Sequence, residues 1–220
     1  PYLTMGLGAG AVTPVQMGGA YAVFANGGYR IAPYLIAKIT DARGNVLSQA
    51  EPAVAGENAE RAIDPRNAFV MTTLLRDVVV YGTATRANAL GRKDLAGKTG
   101  TTNENVDAWF CGFNASIVGI AWIGFDQPRT LGKDETGSLA ALPIWISFMQ
   151  RALKGVPEKP FEKPDGVVQV RINEATGLRD DSSAVMDWFY AEAVPRQADV
   201  AFVPVPQSGR TSQDVRNQLF

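Results

Sequence analysis

Three strand-like segments follow one another closely in the middle of the chain, and they constrain its fold more than any other feature. They span residues 94–102, 107–113 and 116–125 and are rich in β-branched and aromatic residues. Only a few residues connect them, whereas a parallel pair of strands needs a crossover of a dozen residues or more. The segments therefore predict consecutive antiparallel strands of one sheet and not βαβ units.

Helix signals lie on both sides of these strands. Thr13-Pro14-Val15-Gln16 is a capping box with proline at the first helical position, and it predicts a helix that ends at Gly27-Gly28. Asp64-Pro65 begins a second helix in the same way, and a third is predicted from about residue 142 to 154. The second helix is expected to bury a face of residues at helical spacing: Ala68, Met71, Leu74, Leu75 and Val78. The fold class that follows is α+β, an antiparallel sheet flanked by helices.

The character of the chain changes after Gly155. Residues 156–166 hold three prolines and alternating charges, which is typical of a linker. Beyond Arg196 the chain is polar and rich in proline, serine and glutamine, so weak order is predicted there. We therefore predict a compact portion over residues 1–155, followed by a linker and C-terminal tail over residues 156–220.

Composition narrows the possible chemistry. Lys plus Arg is 21 and Asp plus Glu is 22, a net charge of -1, which argues against a sequence-independent nucleic-acid binder. The chain has no histidine, so it cannot hold a Ser-His-Asp or Cys-His mechanism by itself, and no metal site is expected. The single cysteine, Cys111, is predicted to be a small buried strand residue. Trp109, Trp122 and Trp145 are predicted to anchor the core.

The most informative motif is Lys98-Thr99-Gly100-Thr101-Thr102, which lies inside the first predicted strand. The tripeptide Lys-Thr-Gly alone recurs by chance, and an edge strand with a solvated lysine would also contain it. Gly97 and Gly100 add information, because glycine within a strand often marks close approach of another group. An ammonium, hydroxyls and N–H groups along an uncovered strand suit recognition of a carboxylate. Since side chains alternate along a strand, the lysine and the threonines serve one site only if the strand borders a cleft edge-on.

This motif and its surroundings resemble the penicillin-binding transpeptidases, which are serine enzymes related to the serine β-lactamases. Residues 98–102 resemble the third active-site motif of that family. Other segments similar to the family are residues 7–17, 20–28, 81–84, 94–97, 107–110 and 121–126. The resemblance is dense over residues 2–155. It is looser over residues 167–196, where the chain resembles the tail of the class A, bifunctional enzymes of Gram-negative bacteria. The resemblance implies that this chain forms the C-terminal portion of the penicillin-binding protein and serine β-lactamase fold.

The resemblance implies a role for each residue of the motif. In the family a serine attacks a terminal D-Ala-D-Ala of a peptidoglycan stem peptide, and the acyl-enzyme is resolved by an amine of a neighbouring peptide. Lys98 would provide positive potential near the catalytic serines, and Thr99 and Thr101 would bind the terminal carboxylate. The backbone N–H of Thr101 would help form the oxyanion hole, and Gly100 would leave room for the acyl group. The implied partners are the stem peptide and β-lactam antibiotics, and no cofactor is implied.

The chain departs from the family in one respect. The family needs a Ser-x-x-Lys that carries the nucleophile and a Ser-x-Asn loop, and neither pattern occurs anywhere in these 220 residues. We therefore expect a fragment, with both motifs, a glycosyltransferase domain and a membrane anchor located before Pro1. The expected location is the periplasmic face of the bacterial inner membrane, and the chain alone is expected to be inactive.

Two alternatives stay open. The first is an enzyme like the serine β-lactamases, against which the long segment 2–28, the strand tryptophans and the extended tail argue. The second is a non-catalytic binding or scaffold module that keeps the fold and has lost the chemistry. A Ser-x-x-Lys in the upstream gene sequence would remove most of the support for the second alternative.

Overall fold

A computed structural model describes residues 10–197, together with Leu3, Gly6 and Gly8. The chain divides into two compact units, and the break falls between Val167 and Val168. The boundary predicted after residue 155 stays a prediction. Nearly all of the tail for which weak order is predicted lies outside the described residues.

The described residues form nine short strands and three α-helices. The strands, in chain order, are β1 (Tyr29–Arg30), β2 (Lys38–Thr40), β3 (Val46–Gln49), β4 (Glu60–Arg61), β5 (Ala96–Thr101), β6 (Ala108–Phe113), β7 (Val118–Ile123), β8 (Val167–Arg171) and β9 (Met186–Tyr190). The α-helices are α1 (Pro14–Ala25), α2 (Pro65–Val80) and α3 (Leu142–Ala152). Within the described part of the chain, no helix has both the length and the apolar character needed to cross a bilayer.

The central sheet of the first unit has the strand order β5-β6-β7 with both pairs antiparallel. Lys98 lies opposite Cys111, and Trp109 lies opposite Trp122. This arrangement confirms the predicted antiparallel strands. In the sheet formed by the described residues, β5 is an edge strand, and we call the side that faces away from β6 its outer edge.

Local capping signals place the first two helices. The N–H of Gln16 donates to Thr13 Oγ1 at 3.2 Å, and the N–H of Thr13 donates to Gln16 Oε1 at 2.9 Å, so the predicted capping box is present. At the start of α2 the Asp64 carboxylate accepts the N–H of Arg66 at 2.8 Å. Each cap satisfies backbone donors that the helix itself leaves unpaired.

The buried face of α2 differs from the predicted one. Ala68 is buried as expected, but Leu74 is 46% exposed. Thr72 and Thr73 are buried, and their hydroxyls donate at 2.7 Å to the carbonyls of Ala68 and Val70. A threonine that bonds to a carbonyl one turn earlier can be buried without an unsatisfied donor. A pattern of apolar residues alone does not detect such positions.

Apolar clusters cover both faces of the sheet. On one face Trp145 of α3 meets Phe110, with ring centroids 4.9 Å apart. On the other face Tyr21 of α1 meets Phe113, with centroids 6.1 Å apart. The two phenylalanines are three positions apart on β6, so they point to opposite faces. The sheet is therefore sandwiched between α3 and α1, which confirms the α+β class predicted from the sequence.

The single cysteine and the tryptophans give a mixed result. Cys111 is buried, as predicted, and this burial raises the pKa of its thiol to about 12. Trp145 is 1% exposed and anchors the core. The same prediction is wrong for Trp122, which is 39% exposed and donates its indole N–H to Asp107 Oδ1 at 2.8 Å. It lies beside Trp109, with ring centroids 6.0 Å apart.

Candidate active site

Lys98-Thr99-Gly100-Thr101 forms the last four of the six residues of β5. Thr99 lies opposite Phe110 and therefore shares the face covered by α3. Lys98 lies opposite Cys111 and is directed to the face covered by α1. The side chains of the motif thus leave the strand on two opposite faces, as the sequence predicts.

The backbone of β5 brings polar groups from these residues to one edge. The N–H of Thr102 donates to the carbonyl of Asp107 at 3.1 Å, which identifies this pair as hydrogen-bonded across the strands. Hydrogen-bonded and non-hydrogen-bonded pairs alternate along an antiparallel ladder. The register therefore directs the N–H and C=O groups of Thr99 and Thr101 away from β6, toward the outer edge.

The ammonium of Lys98 lies at the same edge. The side chain is exposed, and its Nζ donates to the carbonyl oxygen of Thr99 at 3.1 Å. That carbonyl is one of the groups directed to the outer edge. Lys98 therefore brings its charge beside the N–H groups of Thr99 and Thr101, although its side chain starts from the opposite face. In the described sheet β5 is an edge strand, as that condition requires, and the cleft beside it stays a prediction.

The hydroxyls of Thr99 and Thr101 both have partners. Thr99 Oγ1 lies 2.7 Å from Thr83 Oγ1, and either oxygen can be the donor. Thr101 Oγ1 accepts the backbone N–H of Gly137 at 3.0 Å. A hydroxyl has one proton and two lone pairs, so Thr101 keeps its proton for another acceptor while this bond orients its oxygen.

Gly137 is a site residue that the sequence analysis missed. It begins a π-helical turn that leads directly into α3. A Cβ at this position would lie 2.4 Å from the carbonyl oxygens of Gly100 and Trp109, so only glycine allows this approach to the sheet. Its partner Thr101 is 36 positions away in the sequence, and no local pattern reports such a contact.

At both glycines of β5, the space that a side chain would need is already occupied by residues of β6. A Cβ at Gly97 would lie 2.7 Å from Phe110 Cζ and 2.8 Å from the carbonyl oxygen of Cys111. A Cβ at Gly100 would lie 3.2 Å from the Cβ of Trp109, which is a tight contact. The predicted close approach is confirmed, but the approaching groups belong to β6. The expectation of an uncovered backbone is wrong at Gly97, which is buried.

A buried ion pair lies just before β5. Asp94 is 3% exposed, and its carboxylate accepts Arg92 Nε at 2.8 Å, Arg92 Nη2 at 2.6 Å and Asn114 Nδ2 at 3.1 Å. Burial alone would raise the pKa of this carboxyl, but the hydrogen bonds, first among them that from Arg92, hold it below its usual value. Asp94 is therefore a paired carboxylate at neutral pH.

The same ion pair binds the segment that follows α3. The N–H of Lys159 donates to Asp94 Oδ2 at 3.3 Å, and Arg92 Nη1 donates to the carbonyl of Val156 at 2.8 Å. These contacts join residues 64 and 65 positions apart. The ion pair therefore links the segment after α3 to the residues just before β5, the strand that carries the motif.

The fold and the motif together define a class of protein. Helices cover both faces of an antiparallel sheet, and Lys-Thr-Gly-Thr lies on its edge strand, as in the penicillin-binding proteins. The family model for the penicillin binding protein transpeptidase domain matches residues 1–124. The chain therefore belongs to the penicillin-binding protein transpeptidase family, as the sequence resemblance indicates.

Curated relatives are similar over most of the chain. The chain is 54% identical over 166 residues to penicillin-binding protein 1A of Neisseria lactamica, which covers 76% of this chain and 21% of that protein. It is 44% identical over 216 residues to penicillin-binding protein 1A of Neisseria flavescens, which covers 94% of this chain and 26% of that protein. The chain thus spans about a quarter of the length of these relatives.

Solved structures share the fold. Penicillin-binding protein 1A of Haemophilus influenzae matches with a TM-score of 0.84 and 33% identity, over 90% of this chain and 34% of that one. Penicillin-binding protein A of Mycobacterium tuberculosis, solved as an imipenem acyl-enzyme complex, matches with a TM-score of 0.53 and 26% identity, over 66% of this chain and 32% of that one. The predicted portion of the penicillin-binding protein fold is confirmed.

Proposed function

We propose that this chain provides the carboxylate-binding strand of a D,D-transpeptidase that cross-links peptidoglycan. The observation that carries the proposal is that one ammonium and two outward backbone N–H groups lie at the outer edge of β5, while two hydroxyls lie on the adjoining face of the same stretch of strand. These donors match a peptide that ends in a free carboxylate. Membership of the transpeptidase family supports the same conclusion.

The reaction is an acyl transfer in two steps. A serine hydroxyl attacks the carbonyl of the penultimate D-Ala, the peptide bond breaks, and terminal D-Ala leaves after its nitrogen takes a proton. An amine of a neighbouring stem peptide then attacks the resulting ester, which forms the cross-link and frees the serine. A β-lactam enters the first step and forms an acyl-enzyme. No metal or cofactor takes part in the proposal.

The threonines recognise the terminal carboxylate. The hydroxyl of Thr101 is oriented by Gly137 and keeps its proton, so it can donate to a carboxylate oxygen. The hydroxyl of Thr99 lies at the face covered by α3 on the same stretch of strand. Hydrogen bonds to an ionised acceptor are about twice as strong as neutral ones, so two such donors favour ligands that carry this charge.

Lys98 and the strand backbone act on the reacting centre. The exposed ammonium of Lys98 lies at the outer edge and adds positive potential, which favours the deprotonated forms of a nearby proton relay. The N–H of Thr101 is directed to the same edge and donates to the oxyanion of the tetrahedral intermediate, together with the N–H of the nucleophile. Gly100 carries no side chain beside this donor.

The rest of the machinery belongs to the full-length protein. We place the Ser-x-x-Lys nucleophile and the Ser-x-Asn loop outside these 220 residues, since neither motif occurs in them. The resemblance to the class A enzymes implies a glycosyltransferase domain and a membrane anchor there as well. The relatives that the chain matches are named penicillin-binding protein 1A and are about four times as long. The site would then work at the periplasmic face of the inner membrane.

Product analysis on the full-length gene product tests this function. With stem-peptide substrate it should form cross-linked dimers, and benzylpenicillin should block them through a long-lived acyl adduct. Rapid turnover of a chromogenic cephalosporin without cross-linking would instead identify a β-lactamase. Absence of both acylation and cross-linking would identify a non-catalytic module of the same fold.

A further inference from the structure

We infer that Thr83, in the loop between α2 and β5, is a positioning residue that orients the Thr99 hydroxyl toward the substrate carboxylate. The two hydroxyl oxygens lie 2.7 Å apart, which is the most common distance for an O–H···O hydrogen bond. The inference rests on the proposed function, because it assigns Thr99 a carboxylate to bind.

Proton counting fixes the direction of the bond when substrate is present. Each hydroxyl has a single proton. If Thr99 donates its proton to the carboxylate, it has none left for Thr83, and the bond between them survives only if Thr83 donates. The bound state is therefore a directed chain from Thr83 to Thr99 to the carboxylate, in which each bond polarises the next.

The backbone around Thr83 holds it in place for this task. A Cβ at Gly82 would lie 2.8 Å from the Cα of Val78, so the loop turns back on the end of α2 in a way that only glycine permits. Ala84 is fully buried, and its N–H donates to the carbonyl of Val78 at 3.0 Å. Thr83 is thus fixed on both sides, although its own side chain is exposed.

The bond also selects one orientation of the Thr99 side chain. Threonine has a hydroxyl and a methyl on the same carbon, and their positions exchange when χ1 changes. The 2.7 Å contact with Thr83 keeps the oxygen of Thr99 on the side of the loop that carries Thr83. Because Thr83 is exposed and buries little area, its loss should alter recognition more than stability.

The test compares variants of the full-length gene product. Thr83→Val keeps the shape and removes the hydroxyl, Thr83→Ser keeps the hydroxyl, and Thr85→Val is a matched control at an exposed threonine two positions on. The measurement is the acylation of each protein by benzylpenicillin at several concentrations, which separates the apparent dissociation constant from the limiting rate. A melting curve accompanies each variant.

Thr83→Val should raise the apparent dissociation constant about fivefold to tenfold, as expected for one lost hydrogen bond, while the limiting rate and the melting midpoint change little. Thr83→Ser should restore most of the loss, and Thr85→Val should match the wild type. In a Thr99→Val background the added Thr83→Val should change nothing further, since the bond is already gone.

The outcomes separate this inference from the proposed function. If Thr99→Val weakens acylation but Thr83→Val does not, or if the two effects simply add, Thr83 does not position Thr99 and only this inference falls. If Thr99→Val itself acylates at the wild-type rate, the proposed carboxylate site falls, and the inference falls with it. Failure of Thr83→Ser to recover the loss would also overturn the inference.

Discussion

Removal of the Asp94 carboxylate should destabilise the domain strongly, although the residue lies outside the motif. Asp94→Ala removes the carboxylate that pairs with the Arg92 guanidinium in a nearly buried site, which leaves only the charge of Glu158 nearby. It also removes the acceptor of Asn114 Nδ2 and of the Lys159 N–H. Breaking a buried ion pair by removing one partner costs about 3–5 kcal/mol, because the remaining charge stays buried.

The structure places the expected loss at the lower end of that range. Arg92 still donates to the carbonyls of Val156 and Pro157, at 2.8 and 3.3 Å, so its charge is not left without any acceptor. We therefore expect a loss of about 3 kcal/mol. For a domain of this size such a loss lowers the melting temperature by about 6–12 °C.

Pulse proteolysis of the full-length gene product over a temperature series measures this change, because only the folded domain resists the protease. Asp181→Ala is the control, since it breaks an exposed ion pair. In that pair Arg179 Nε lies 3.1 Å from Asp181 Oδ1, and the aspartate side chain is 65% exposed. The control should lose less than about 1 kcal/mol. If Asp94→Ala melts within about 1–2 °C of the control, as roughly 0.5 kcal/mol would produce, the reasoning about the buried pair is refuted.

Three further predictions concern the pH dependence of the Asp94 pair, the missing nucleophile and the hydroxyl of Thr101. First, the pKa of Asp94 is lowered in the folded protein, so its contribution is full above the ordinary value of 3.8 and is lost as the pH falls through the folded pKa. The stability difference between wild type and Asp94→Asn should therefore be present at neutral pH and shrink in acid, and a difference that grows in acid would contradict this sign. Second, the 220-residue chain incubated alone with excess benzylpenicillin should keep its mass, because it has no serine with lysine three positions on; a stoichiometric serine-linked adduct in the mass spectrum would show that the nucleophile lies within it. Third, Thr101→Val in the full-length gene product keeps the backbone N–H and loses the hydroxyl that Gly137 orients. The variant should be acylated by benzylpenicillin about tenfold more slowly, as expected for the loss of one hydrogen bond to a charged group, whereas its acylation by benzylpenicillin methyl ester, which has no free carboxylate, should be nearly unchanged. Equal effects on both ligands would argue against a carboxylate contact.

The parts of the fold that the sequence predicts are those with local causes. The capping box at Thr13 and Gln16 lies within four residues, so the start of α1 is readable from the sequence. The short connections of β5, β6 and β7 leave antiparallel pairing as the only simple topology, and the structure has it. The motif on β5 could be found for a similar reason, because its residues are contiguous.

The parts that sequence reasoning missed depend on contacts that neither a contiguous motif nor apolar periodicity reports. Gly137 reaches Thr101 over 36 positions, and Asn114 reaches Asp94 over 20. Whether a threonine such as Thr72 is buried depends on a bond to a carbonyl one turn earlier, which apolar periodicity does not report. Trp122 can be exposed because its indole N–H donates to the surface carboxylate of Asp107, a contact that the residue type alone does not predict.

The acylation rate of a Lys98→Ala variant tests the central claim most directly. The measurement is the second-order rate constant for benzylpenicillin with the full-length gene product, alongside a melting curve. Lys93→Ala is the control, because it removes an exposed lysine five positions earlier on the same segment. Loss of one preorganised electrostatic group typically lowers such a rate about a hundredfold or more, so Lys98→Ala should fall by that factor with an unchanged melting temperature. If Lys98→Ala instead acylates at the rate of the wild type and of Lys93→Ala, β5 is not the active-site strand.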